Sequence, residues 1–304
     1  MSFAVAMPIM AMVAALTLAP PAAAKLAVVT TTPDLQSLAT AVGGDFVAAV
    51  SIVPAGADAE AFEPKPGDIA RLNAADLVVR VGLGYDEWLE RVLRQPRLMR
   101  GGVAHVDASL GVPLLEVQSR DPSEQGGHVH GLANPHYWLD PENAVTMTAA
   151  IAEGIIRVDP ELREPILANR DRFLASLRDK MAEWMRVLAP CQGAPVIGYH
   201  NSWPYLARRF RLNVVDIIEP KEGIAPSPAR LASLIGTMRA GRVKAILQEN
   251  FEPLDAGRLL AGRTGASVVV LAAGVGGVPE AVDYFALFDY DVAILVRAIA
   301  GAAE

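Results

Sequence analysis

Pro160–Leu188 reads PELREPILANRDRFLASLRDKMAEWMRVL. Its apolar residues Ile166, Phe173, Leu177, Met181, Trp184 and Leu188 recur at helical spacing. Ala189-Pro190 ends the run, because proline lacks the N–H that a helix interior needs. Pro165 lies close enough to the start that a bend, not a break, is expected. At ~1.5 Å per residue the helix spans roughly 35–45 Å, about the width of a small domain. Placed midway along a chain of 304 residues, it is expected to be a rigid connector between two lobes.

The sequence on either side supports that division. Before the helix, strand-like runs at 25–32, 46–53 and 77–82 alternate with helical runs at 33–42, 69–75 and 86–93. After it, 195–199, 214–218, 243–248 and 267–271 read as strands with helices between, the last at 283–299. Strand–helix alternation predicts an α/β fold with mostly parallel sheets covered on both faces. Pro64-Lys65-Pro66 and Pro226-Ser227-Pro228 each follow the second strand of their lobe, an internal echo of duplication. The expected organisation is a leader at 1–24, an N-terminal lobe at 25–158, a connecting helix at 159–190 and a C-terminal lobe at 191–304. A ligand site is expected in the cleft between the lobes.

Composition narrows the function. A formal net charge of −7 argues against nucleic acid as a partner, since phosphate recognition needs a basic face. Met1–Ala24 is uncharged in its side chains and ends Pro-Pro-Ala-Ala-Ala, which reads as a secretory signal peptide cleaved after Ala24. The single cysteine, Cys191, rules out an intrachain disulfide and a thiolate metal cage. Gly82-Leu83-Gly84 fails as a dinucleotide fingerprint, because Glu87 stands where the third glycine belongs.

The chemistry-bearing stretch is Asn134–Pro141, Asn-Pro-His-Tyr-Trp-Leu-Asp-Pro. Asp140 is placed to cap a following helix with Pro141 at its first position, which would fix His136 in space. Three more loop positions share its situation at the ends of strands or starts of helices: Glu60, His200 and Asp283. Two imidazoles and two carboxylates make a shell suited to a divalent first-row metal. Each also has a plainer reading: His200 as a buried hydrogen-bonded histidine, Asp283 as an N-cap, Glu60 as a solvated loop acid. His128-Val129-His130 lies in a polar, glycine-containing stretch and is a possible auxiliary metal loop. His105 is assigned to structure.

At these residues the chain resembles the metal-binding solute-binding proteins of zinc and manganese ABC transporters. The likeness runs in order through Thr30-Thr-Thr-Pro-Asp-Leu35, Phe62-Glu-Pro-Lys-Pro66, Asn134–Pro141, Tyr199–Phe210, Ala261–Leu271 and the closing Asp283–Phe288. The resemblance implies two α/β lobes bridged by one long helix, and a periplasmic monomer that performs no chemical step. One metal, Zn2+ or alternatively Mn2+ or Fe2+, would be held by Glu60, His136, His200 and Asp283 and delivered to a membrane permease. The family usually has histidine where Glu60 stands, and a hard oxygen there moves the preference toward manganese or iron. A surface adhesin would keep the same fold. The rival from another class is a secreted zinc metallohydrolase, with Glu63 or Glu249 as general base.

Overall fold

The computed structural model describes residues 24–94, 103–116, 133–221 and 223–301. The leader at 1–24 lies outside them except for Ala24, and His128 and His130 lie outside them entirely. Among the described residues, no helix is long and apolar enough to cross a membrane.

The first lobe is built from β1 (Leu26–Thr30), α1 (Pro33–Gly43), β2 (Val47–Ser51), α2 (Pro66–Asn73), β3 (Leu77–Arg80), α3 (Glu87–Leu93), β4 (Ala104–Asp107) and α4 (Ala144–Val158). The connector α5 (Arg163–Val187) follows. The second lobe contains β5 (Pro195–Gly198), α6 (Pro204–Phe210), β6 (Asn213–Ile217), α7 (Pro228–Gly241), β7 (Ala245–Glu249), α8 (Asp255–Thr264), β8 (Ser267–Leu271) and α9 (Tyr284–Ile299). Each lobe has a four-stranded parallel sheet, ordered β2-β1-β3-β4 in one and β6-β5-β7-β8 in the other. The two orders are the same arrangement used twice. The proline echo sits at equivalent places, with Pro66 and Pro228 opening α2 and α7 behind their caps Lys65 and Ser227.

Strand β4 is a correction to the sequence reading, which left His105 unassigned to any strand. Only Val106 of its four residues is buried. A four-residue edge strand with one inward side chain carries too little alternation to be read from sequence. The connector also differs at its start. Pro160–Leu162 form a 3₁₀ turn capped by Asp159, and the α-helix begins at Arg163 and runs through Pro165 unbroken. Proline in the first turn removes only an N–H that has no helical partner there.

Helix α5 packs on α1 and α4 of one lobe and α9 of the other. It buries Ile166, Phe173, Leu177 and Trp184 along one stripe. Two hydrogen bonds fasten it to both sides. Asn169 Nδ2 donates to Val42 O at 3.0 Å, and Trp184 Nε1 donates to Asp289 Oδ1 at 2.8 Å. The largest apolar cluster is continuous from Val28 and Leu38 through α5 to Leu271 and Phe288. Opening the lobes widely would expose that shared core, at about 25 cal/mol for each Å² uncovered.

Candidate metal centre

The site residues follow the C-terminal ends of three strands: Glu60 after β2, His136 after β4 and His200 after β5. Glu60 lies between β2 and α2. Asp58 Oδ1 accepts from Glu60 N at 2.8 Å and Ala61 N at 3.2 Å, an Asx turn that shapes the loop.

His136 is 3 % exposed. Its backbone N–H donates to Asn134 Oδ1 at 3.0 Å, and its Nδ1 lies 3.1 Å from the same oxygen. An amide oxygen only accepts, so Nδ1 carries the proton and Nε2 is the ring atom available to a metal. Tyr85 and Trp138 flank the ring at centroid distances of 5.4 and 5.3 Å. Asp140 caps the 3₁₀ turn Pro141–Asn143, through Glu142 N at 3.1 Å, and that turn runs into α4.

His200 is 6 % exposed and sits just past β5. The chain folds back tightly there: a Cβ on Gly198 would meet His200 O at 2.6 Å and the Trp203 ring at 3.0 Å. His200 Nδ1 lies 2.6 Å from Glu219 Oε2, and Glu219 is itself anchored by Gly223 N on Oε1 at 2.6 Å. The carboxylate fixes the Nδ1–H tautomer and directs Nε2 outward, where Glu60 Oε2 stands at 3.7 Å. The two imidazoles face each other at a centroid distance of 5.6 Å.

Ligand atoms of Glu60, His136 and His200 all lie within 4.8 Å of one another. Donors of a tetrahedral ion with bonds of about 2.1 Å are roughly 3.4 Å apart, so a small contraction would gather the three onto one cation.

Asp283, the fourth residue of the expected set, is not brought to them. It is the N-cap of α9, its Oδ1 accepting from Phe285 N at 2.9 Å and Ala286 N at 2.8 Å. It lines a separate surface groove with Gln36, Thr40 and Phe173. Two amide donors at the positive end of a helix hold the carboxylate there. Of the two acids considered as a general base, Glu63 is exposed and Glu249 is buried at the end of β7.

Sequence reasoning passed over Glu219 and Glu252, and saw Glu249 only as a general base for the rival hydrolase. Glu219, Glu249 and Glu252 join Asp58, Glu60 and His200 around a cavity of about 280 Å³. Burial opposes a charge on His200, but the Glu219 hydrogen bond and the fields of Glu249 and Glu60 outweigh it and raise the pKa to about 9. Burial pushes Glu249 up to about 7, and burial together with the Glu249 charge pushes Glu252 up to about 9. The site is therefore short of positive charge. Glu219 and Glu249 do lie at strand C-termini, which is the one signal that could have found them.

Asn134 joins the two lobes beside the ligands. Its Nδ2 donates to Asn201 O at 2.8 Å and to Glu116 Oε2 at 3.1 Å. Trp138 Nε1 donates to Ala273 O at 3.0 Å, and Tyr284 OH donates to Trp138 O at 2.7 Å. His136 is thus held by hydrogen bonds to its neighbours from the second lobe as well as the first.

The model of the family described as "Zinc-uptake complex component A periplasmic" matches residues 28–298. The chain is 28% identical over 250 residues to the high-affinity zinc uptake system protein ZnuA of Bacillus subtilis, covering 81% of this chain and 78% of that protein. It is 24% identical over 233 residues to the iron-binding protein YfeA of Yersinia pestis, covering 75% and 70%. Among solved structures, FpvC from Pseudomonas aeruginosa in complex with Mn2+ superposes with a TM-score of 0.79 at 27% identity, covering 92% of this chain and all of that one.

Proposed function

This chain belongs to the family of periplasmic zinc-uptake component A proteins, and on that premise we propose that it captures Zn2+ in the periplasm and hands it to the permease of an ABC transporter. The family consists of transporter binding components and is not an enzyme family. The observation that carries the reading is the buried trio Glu60, His136 and His200, with ligand atoms within 4.8 Å in the cleft between two lobes.

Both imidazoles have Nδ1 engaged by an oxygen acceptor, which leaves Nε2 as the atom that meets a cation; His200, whose pKa is raised to about 9, gives up its Nε2 proton when the metal binds at neutral pH. Two nitrogens and a carboxylate oxygen suit zinc. Capture then needs local movement of the Glu60 loop, because α5 and the shared core resist a wide hinge. The protein acts as a monomer, exported after cleavage of its leader, and its metal is cargo.

A second reading is favoured by the acid-rich wall. Asp58, Glu219, Glu249 and Glu252 surround the same cavity, and hard oxygen donors favour manganese or ferrous iron relative to zinc. The relatives named above are themselves described for zinc, iron and manganese.

The test is a metal titration of the mature chain, residues 25–304, with zinc and manganese in competition. Tight binding of zinc, lost in the double variant His136→Ala plus His200→Ala, is the expected result. Binding that survives the double variant would remove the site, and preferential retention of manganese would replace zinc as the cargo.

A further inference from the structure

With Asp283 bound to the start of α9, the trio lacks the fourth donor that a closed shell requires. We propose that Glu249 supplies it. The inference rests on the metal-capture reading above and concerns the same centre.

The topology puts Glu249 at the right place. Strands β5 and β7 are paired in parallel with Gly198 opposite Leu247. His200 and Glu249 each lie two residues beyond that pair, and Tyr199 N still donates to Leu247 O at 2.8 Å. The two residues therefore leave the sheet at neighbouring strand ends, and both line the same cavity. Glu249 also lines two cavities: the acidic one with Glu60 and His200, and a small one with Ala59, Tyr85 and Trp138, which border the Glu60 and His136 loops.

Its surroundings call for a cation. Glu249 is 5 % exposed. The charged groups that act on it most are His200, Glu60 and Asp58, and among the described residues no lysine or arginine forms an ion pair with it. Its positive neighbour is His200, itself one of the trio, so a divalent ion bound there would stand where that charge now faces the buried carboxylate. In this structure Glu249 stands outside the 4.8 Å group, so coordination takes a rotation of its side chain toward the Glu60–His200 gap. The adjoining cavity of about 280 Å³ gives it the room.

Such a shell would be two nitrogens and two carboxylate oxygens. All the positions except Asp283 in the expected set are kept, and the replacement comes from a different strand.

The test compares E249Q with D283N, measuring zinc and manganese affinity by chelator competition. E249Q is expected to lose more than about 100-fold in affinity, beyond the 10–100-fold typical of a group that only supports a ligand. D283N is expected to remain within about twofold of wild type. Zinc-loaded wild-type crystals decide the point even if a variant does not fold: a Glu249 oxygen at about 2.0–2.2 Å from the ion is expected. A Glu249 carboxylate away from the ion, or a loss of 100-fold or less in a folded E249Q, overturns the assignment. Failure of the capture reading is separate, since it appears as wild-type protein that binds no metal or as binding indifferent to His136 and His200.

Discussion

Glu219 Oε2 holds His200 Nδ1 at 2.6 Å, and Gly223 N holds the other oxygen of the same carboxylate at 2.6 Å. On the metal-capture reading, the pair sets which imidazole nitrogen would face the ion. Replacing Glu219 with Gln keeps the shape but allows the amide to present an N–H to Nδ1, which favours the wrong tautomer. Zinc affinity is expected to fall about 10–100-fold, as for other supporting groups behind metal-bound histidine. Calorimetric titration of E219Q checks it, and an unchanged affinity would mean that His200 is oriented by packing alone.

Asn134 does for His136 what Glu219 does for His200, but with neutral groups and across the lobes. Asn134→Ala leaves the His136 amide and ring N–H without that acceptor. Each buried unsatisfied group costs about 1–3 kcal/mol, so with two such groups the metal-free protein should lose about 2–6 kcal/mol. Denaturant unfolding measures this directly. A loss under about 0.5 kcal/mol would show that the amide is not holding the lobes together.

Asp140 is fully buried and receives Arg209 Nε at 2.6 Å, Arg209 Nη2 at 3.0 Å and Arg208 Nη2 at 3.2 Å. The sequence reading saw only its capping role. The ion pairs join the His136 loop to α6 in the second lobe. Removing Asp140 leaves arginines whose side chains are 23% and 41% exposed and can be hydrated, so Asp140→Ala is expected to cost about 1.5–3 kcal/mol, the range for hydrogen bonds to charged groups, in thermal or denaturant unfolding. A cap alone would be worth about 1 kcal/mol, so the size of the loss separates the two roles.

The pH dependence follows from the raised carboxyl and imidazole pKa values. Burial lifts Asp34 and Asp291 to about 7, alongside Glu249 at about 7 and Glu252 at about 9. For each acid the folded chain holds a proton that the unfolded chain has already lost, so stability falls as pH rises from about 4 toward 7 and, for Glu252, toward 9. His200 adds stability that is full below its ordinary 6.5 and is lost as pH rises through about 9. Metal-free protein should therefore melt at a lower temperature at pH 8.5 than at pH 6. Saturating zinc should narrow that gap, because the ion takes the place of the protons and its own binding strengthens up to about pH 9. Melting curves with chelator and with zinc test both signs. A metal-free protein more stable at pH 8.5 would contradict the assignment of these groups.

The two-lobe plan was readable because its signals are local and repeated. The stripe from Ile166 to Leu188 recurs through about six turns, and each buried parallel strand is a short apolar run with turn residues at its ends. Strand β4 escaped because only Val106 faces inward. In the site, His136 and His200 could be picked out because histidine is scarce here, five in all, and each follows a distinctive loop sequence. Glu60 was picked out by its place in the loop after a strand, at a position where the chemistry departs from that of the family it resembles. Asp283 caps α9 in this structure, and the sequence did not show it, because one carboxylate before a helix serves equally as a ligand or as a cap.

The sequence by itself determined the α/β class, the connector, the acidic balance and the two histidines, since each follows from composition or from periodicity along the chain. Only the tertiary structure decided the company those histidines keep. It turned Asp283 onto the amides of its own helix, set Glu219 against His200, and brought Glu249 within the field of Glu60 across nearly two hundred residues of chain. The reason is physical: helix and strand formation depend on neighbours in sequence, whereas a metal shell depends on where separate strands end in space.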